Sequence, residues 1–346
     1  MKDVIIVGGG LKGMLTALFL HDAGLKVMLA DQNELGRESS WAGGGLITPL
    51  YPWQASPMVS ALVKDSQQHY PALCERLYQE TNIDPQWLKS GLLITDSSQN
   101  QAAQHWAETW NYSLELLEGS NLNTCEPHLN PAFKRALFFP DLAQVRSPRL
   151  NAALRASLHM RPILVSQHQA VQQLHVVNGQ IGGVYIGNEL FKAHKVILTA
   201  GAWTTTFPEV QDSPLQLRPQ LAESIMFRTR YSTLQRMIVH KDYYLIPRQD
   251  GRIVCGAVFS SQGLEKTLTE QAQEELRAVA CELIPELTEL PIHNHWSSLL
   301  SFSENDEPFM GEHPEIRGLY INAGHGSNGV ATGLGSVRAV VTQVLA

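Results

Sequence analysis

The stretch from the first strand to Asp31 constrains this chain more than any other. Val4-Ile5-Ile6-Val7 is an apolar strand that runs into Gly8-Gly9-Gly10-Leu11-Lys12-Gly13, a G-x-G-x-x-G turn. A helical pattern continues from Leu11 to Ala23, Gly24 ends it, and Lys26-Val27-Met28-Leu29-Ala30 is a second apolar strand that delivers Asp31. Each part of this βαβ pattern has a physical job. Gly8 permits the tight turn, Gly10 lets backbone approach a pyrophosphate, and Gly13 lets the helix pack close to the strand. The helix N-terminus stabilises the anion. An acid at position 31 suits a ribose 2′-hydroxyl and disfavours a 2′-phosphate, so the motif predicts NAD or FAD rather than NADP and does not choose between them. The alternative is a Gly-rich turn with no ligand.

With 346 residues the chain has room for two domains with cores of their own. A net charge of −7 supplies no polybasic stripe, which argues against nucleic acid and against an anionic membrane surface. The four cysteines, Cys74, Cys125, Cys255 and Cys281, are scattered without a C-x-x-C pair. They read as free thiols in a reducing compartment, with no metal site and no disulfide framework. The first strand starts at Val4, and no apolar run reaches the roughly 18 residues of a membrane span. The expectation is a cytoplasmic protein with no leader peptide.

After the second strand, Gly36 to Leu46 is too rich in glycine for an ordinary helix, which implies a close approach to its backbone. An amphipathic helix is expected from Met58 to about Glu80, kinked or split by Pro71. Helices follow at Asn100–Trp110 and Arg149–His159, with a strand at Gly91–Thr95. Asn178-Gly179 and Gly187-Asn188 separate Val171–Val177, Gln180–Ile186 and Leu190–Lys192 into a meander. A separate strand, Lys195–Thr199, then runs into Ala200-Gly201. Strands are expected at Glu223–Arg230, Met237–His240, Tyr243–Pro247 and Arg252–Phe259, and a helix at Thr269–Leu283. The strand Gly318–Asn322 leads to Ala323-Gly324-His325-Gly326-Ser327-Asn328-Gly329 and a closing helix from about Val330 to Leu345.

This alternation predicts an α/β (α+β) chain in which a Rossmann-type domain is discontinuous. It comprises residues 1–85, 143–208 and 296–346, wrapped around a β-rich substrate domain of residues 86–142 and 209–295.

Over nearly its whole length the sequence resembles the FAD-dependent D-amino-acid oxidase family, and most closely its glycine oxidase branch, which serves thiamine biosynthesis. The resemblance rests on Gly8–Gly13, on Gly36-Arg37-Glu38-Ser39-Ser40-Trp41-Ala42-Gly43-Gly44 with Pro49-Leu50-Tyr51-Pro52, and on Val145–Leu150. It continues in Ala200–Trp203, Tyr244–Gly251, Trp296 to Gly311, Gly324-His325 and Asn328-Gly329. It implies FAD rather than NAD, and since none of the four cysteines sits in a flavin-linkage context, a noncovalent one. The residues themselves agree, because a second Gly-rich strand-to-helix turn, His325 to Val330, puts a helix N-terminus where charge accumulates on a reduced flavin.

The resemblance also implies roles. Leu11 and Lys12 flank the pyrophosphate, Asp31 with Gln32 holds the ribose, and Ser39 and Ser40 bond the phosphates. Gly43, Gly44 and Gly45 pass along the flavin ring, Val171 meets the adenine through its backbone, and Ala200 and Gly201 form the turn after the late strand. His325, Gly326, Ser327, Asn328, Gly329 and Val330 complete the cofactor set.

The implied chemistry is hydride transfer from the α-carbon of a small amino acid or amine to the flavin, with hydrolysis of the imine and oxygen as acceptor. No catalytic base is required of the protein. The substrate half departs from the family. Leu300 stands where the family places an arginine that clamps the substrate carboxylate, Ser327 stands for a second arginine, and Ala222 for a glycine. Arg248, Arg218, Arg146 and Arg252 are the candidate replacement cations, while Tyr244 and Trp296 are candidates to face the substrate. His293 and His295, on one strand face, lack a third ligand and read as ordinary strand residues; Glu304, Asp306 and Glu307 read as a solvated loop. Two alternatives stand beside the oxidase. One is a flavoenzyme for a bulkier secondary amine, such as a carboxymethylaminomethyl-modified tRNA uridine. The other is a flavin-binding protein with little turnover. The partners are a small molecule and oxygen, and a homo-oligomer is compatible with the sequence.

Overall fold

The chain folds around two eight-stranded sheets, seen here in a computed structural model that describes residues 1–211, 215–229, 234–261 and 263–346. The opening unit is β1 (Lys2–Val7), α1 (Leu11–Asp22) and β2 (Val27–Ala30), with the two strands parallel in the register Val4↔Val27 to Val7↔Ala30. A short α2 (Ser39–Ala42) and a long α3 (Pro57–Thr81) lead to β3 (Leu92–Ile94), α4 (Asn100–Trp110), β4 (Glu115–Glu118), α5 (Gly119–Cys125) and β5 (Arg135–Phe139). Next come α6 (Ser147–His159), β6 (Leu164–Ser166), β7 (Val171–Val177), β8 (Gln180–Ile186), β9 (Glu189–Leu198) and α7 (Pro208–Gln211). They are followed by β10 (Leu217–Arg228), β11 (Met237–His240), β12 (Tyr243–Pro247), β13 (Arg252–Ser260), α8 (Glu270–Leu283) and β14 (Ile292–Ser303), then by β15 (Phe309–Glu312), β16 (Leu319–Ala323) and α9 (Gly333–Leu345).

The first sheet has the order β15-β16-β9-β1-β2-β6, with the β7–β8 hairpin attached to β9. One face buries Ile6, Leu29 and Ile197 under α1, α3, α6 and α9; the other buries Ile5, Met28 and Val196 under the hairpin. The second sheet has the order β14-β10-β13-β12-β11-β3-β5-β4. Its strands pack under α8 on one side, through Ile225, Leu245 and Leu276, and around Trp106 of α4 on the other. Glu223, on β10, accepts from both the amide (2.9 Å) and the hydroxyl (2.9 Å) of Thr269, whose hydroxyl in turn caps Ala272 at the start of α8. This cap fixes α8 over the sheet.

Five expectations are corrected. The third meander strand and Lys195–Thr199 are one strand, because Ala193-His194 carries no turn chemistry and simply extends it. The first part of β9 is antiparallel to β8 (Glu189↔Ile186), and its last part is parallel to β1 (Val7↔Leu198). Pro71 does not split α3, since side chains on both sides of it are held by the core, Val59 and Val63 before it and Leu73 and Leu77 after it. The closing helix begins at Gly333, after a short turn over Gly326–Asn328. The strand expected at Glu223–Arg230 starts earlier, at Leu217, and is described to Arg228, with Arg230 outside the described residues. Trp296 lies inside β14 of the second sheet, so the chain returns to the first sheet only after Ser303.

Candidate active site

At the tip of β1 the chain turns through Gly8, and α1 starts so close that a Cβ on Gly13 would lie 1.8 Å from the Gly8 carbonyl oxygen. Thr199, at the end of β9, donates to that same oxygen at 2.7 Å. The Asp31 carboxylate accepts from the Gly9 amide (2.5 Å) and the Asn33 amide (2.7 Å), while burial raises its pKa against those two bonds. Ser40 accepts from the Leu11 amide at 2.8 Å, tying α2 to the start of α1.

A long channel opens along these groups. Its walls include Gly8, Gly10, Leu11, Lys12, Asp31 and Gln32 at one end, Ser39, Ser40, Val171, Ala200 and Gly201 along it, and Gly43, Leu300, His325 and Val330 at the other. Gly326, Ser327 and Gly329 line it as well. A second cavity, walled by Gly44, Gly45, Tyr244, Ser298 and Asn328, shares Gly43, Leu300, Ser327 and Val330 with the channel. Gly13 lines neither; it acts through packing.

The turn at the far end is tightly held. The buried His325 ring has Nδ1 2.7 Å from the Thr332 hydroxyl and Nε2 2.7 Å from Asn322 Oδ1. Burial, with the neighbouring Lys12 charge, drives its pKa well down, so the ring is a neutral structural brace. From α3, the buried Tyr70 donates to the Val330 carbonyl (2.9 Å) and Ser66 accepts from the Gly335 amide (2.9 Å). Lys12 reaches across from α1 to the Gly329 carbonyl at 3.3 Å. Burial lowers its pKa to about 8.

The residues expected to replace a carboxylate clamp are used elsewhere. Arg248 is buried, donating to Gln144 Oε1 (2.7 Å) and to the carbonyls of Val145 (3.1 Å) and Gly44 (2.5 Å). It therefore pins the Gly43–Gly45 segment in place. Gly45 has φ +81°, and a Cβ there would meet the Val145 carbonyl oxygen at 2.0 Å, so that segment lies directly on the chain leading into α6. Arg146 and Arg252 both pair with Asp250, and Arg218 is exposed on β10.

Trp296 lines neither cavity; its indole donates to the Ala42 carbonyl (3.1 Å) and its ring meets Trp41 edge-on. Tyr244 does face the second cavity, hydrogen-bonded to Ser224, and burial raises its pKa. His295 lies 2.9 Å from the Glu223 carboxylate, His293 is exposed, and Glu304 and Asp306 are exposed on the β14–β15 connection. Among the described residues no group of three or more His, Cys, Asp or Glu side chains is arranged to hold a metal, and no helix is long and apolar enough to cross a membrane.

Sequence reading missed Trp203, Phe207 and Ser301 in the channel and Ser224, Asp242 and Phe259 in the second cavity. The two-residue alternation along β14, which puts the missed Ser298 on the same face as the expected Leu300, was a signal for that one further wall residue. Asp242 had none.

A channel that begins at a βαβ phosphate turn and ends on a second Gly-rich turn above a separate chamber defines a flavin-dependent oxidoreductase. The model of the FAD dependent oxidoreductase (DAO) family matches residues 3–343, and the chain belongs to that family. It is 38% identical over 330 residues to a glycine oxidase of Pseudomonas putida, covering 95% of this chain and 90% of the relative. To a glycine oxidase of Pseudomonas aeruginosa it is 38% identical over 338 residues, covering 97% and 93%. The crystal structure of a glycine oxidase from Bacillus cereus superposes with a TM-score of 0.92 at 25% identity, covering 100% of this chain and 95% of that one. The protein is thus an FAD-dependent oxidoreductase of the D-amino-acid oxidase fold. No cysteine lines the channel among the described residues, and both nitrogens of His325 are engaged, in keeping with a noncovalent cofactor.

The channel residues fit FAD. The glycine cradle at its start would be filled by any side chain, the buried Ser301 hydroxyl has no protein partner, and the Lys12 ammonium meets only a carbonyl.

Proposed function

We propose that the protein oxidises the C–N bond of a small amine or amino acid to an imine, and that its substrate sits in the second cavity, facing the shared wall. The observation that carries this reading is the meeting of channel and cavity at Gly43, Leu300, Ser327 and Val330. The glycine oxidases at 38% identity support it. In this reading Asp31 and Gln32 hold the ribose, Val171 meets the adenine through its backbone, and Leu11, Ser39 and Ser40 hold the phosphates. Gly43 to Gly45 follow the ring, Ala200 and Gly201 close the side wall, and His325 to Val330 present backbone to the pyrimidine. When bound, FAD would supply a two-electron acceptor for the α-hydrogen as hydride, with the proton of the amine nitrogen passing to solvent. The chain supplies position and a water-poor wall: Tyr244 and Leu300 orient the amine, and no side-chain base is needed. Oxygen is the proposed acceptor and the cytoplasm the proposed compartment, in keeping with four free cysteines. The net charge of −7 and the acid Asp242 weigh against a tRNA-bound substrate.

Anaerobic mixing of the FAD-loaded protein with a panel of small amines and amino acids should bleach the flavin band. No bleaching by any member would overturn the oxidase reading.

Lys12 belongs to this reading as the cation at the pyrimidine turn rather than beside the pyrophosphate, because its ammonium sits on the Gly329 carbonyl. Its pKa of about 8 has a consequence for loading. Below that pH the ammonium is ready for an anionic cofactor; above it, binding requires proton uptake. FAD affinity should therefore fall by up to about tenfold per pH unit above the Lys12 pKa. Lys12→Met should bind FAD more weakly, with that slope removed. An unchanged slope in the variant, measured by fluorescence titration, would take Lys12 out of the cofactor site.

A further inference from the structure

Among the described residues the second cavity has one charged side chain on its wall, and it is an acid. Asp242 sits exposed on the β11–β12 turn at its edge, and the other polar wall groups, including Ser224, Tyr244, Ser298 and Ser327, are neutral. Among the described residues no Lys or Arg lines it, and Lys241, next to Asp242, pairs with Glu282 instead. Arg248 is spent on three oxygens, Arg146 and Arg252 share Asp250, and Lys12 is on the channel side at Gly329. A carboxylate entering this cavity would lose its water, gain at best hydroxyl dipoles, and face a like charge. A neutral amine escapes both costs, and an ammonium, which also loses its water, gains the attraction of Asp242 in return.

We infer that the cavity takes an amine without a carboxylate, its tail uncharged or cationic, and that Leu300 and Asp242 together exclude α-amino acids. The inference rests on the reading of this cavity as the substrate site. Exclusion works through a withheld cation and a placed like charge, so discrimination comes from what the wrong ligand loses.

The test uses FAD-loaded protein and ligand pairs that differ only in tail charge. Glycinamide and sarcosinamide should bleach the flavin anaerobically at concentrations at least about tenfold below those required for glycine and sarcosine. Acetamide and acetate, which are not oxidised, give a turnover-free comparison through the shift each produces in the visible flavin spectrum. Acetamide should shift it, and acetate should not at matched concentration. Asp242→Asn, a change on an exposed residue, should narrow the gap, and Leu300→Arg should invert it. If L300R loses its flavin, D242N still reads the contribution of the like charge. Acids that bleach as readily as their amides, or acetate that binds as tightly as acetamide, overturn the inference. Binding of acetamide and not acetate, with no bleaching by any amine, would uphold the selectivity and overturn the oxidase reading instead.

Discussion

Gly13→Ala should yield a protein that is purified without its yellow cofactor. The new methyl would lie 1.8 Å from the Gly8 carbonyl oxygen and 2.8 Å from the Thr199 hydroxyl. Neither can retreat cheaply, since Thr199 is bonded to that same oxygen (2.7 Å) and is fixed at the end of β9 between β1 and β16. The helix must back away from the strand, and the amides proposed to face the phosphates go with it. Overpacking of this kind costs about 3 kcal/mol, at the upper end of its usual range. Loss of even half of that from FAD binding weakens affinity by about tenfold. Flavin content per chain, measured by absorbance after release, checks this; an alanine variant that holds FAD stoichiometrically would show that the turn is looser than its geometry requires.

The second large effect is expected at Arg248. Arg248→Met keeps much of the volume but removes every donor to Gln144 Oε1 and to the carbonyls of Val145 and Gly44. Burial lowers the pKa of this guanidinium to about 10, so it is a cation at neutral pH that has traded water for three oxygens. Each oxygen left without a donor costs about 1–3 kcal/mol, so a loss of about 3–5 kcal/mol is expected. A melting temperature lower by about 6–10 °C would match it. FAD should also be held less firmly, because Gly44 loses its anchor. Arg146→Met, at a partly exposed pair with an Asp250 that Arg252 also contacts, is the control and should move the melting temperature less.

The opening βαβ unit was legible because every residue in it answers to one local rule: apolar strand, glycine turn, helix and acid. The same holds for α4 and α8, whose periodicity and capping agree with their packing. Strand β9 looks like two pieces in sequence because Lys192 to His194 breaks the apolar alternation, and only pairing with β1 and β8 together shows the strand to be continuous. The local cost of Pro71 alone predicts a break, whereas α3 is held by tertiary contacts on both sides. In the site, the glycines along the channel were legible because close backbone approach leaves a compositional trace. The substrate half left less. Arg248 looks the same in sequence whether its partner is a ligand or a carbonyl, and Trp296 whether it walls a cavity or caps Ala42. Asp242 becomes informative only when the β11–β12 turn brings it to the cavity edge.

The contact between Lys12 and Gly329 joins residues 317 positions apart, and Tyr70 on α3 braces the same turn through Val330. A nascent chain can therefore form β1, α1 and their glycine turn long before the far wall exists to close around a ligand. Flavin capture must wait until the segment around Val330 has left the ribosome. Until then the first sheet lacks β16 as well, and the edge of β9 that β16 will cover is open to solvent or to a chaperone. Vitamin supply in the cell would then act on this protein only once Val330 has been made, deciding which chains become enzyme and which remain to be cleared.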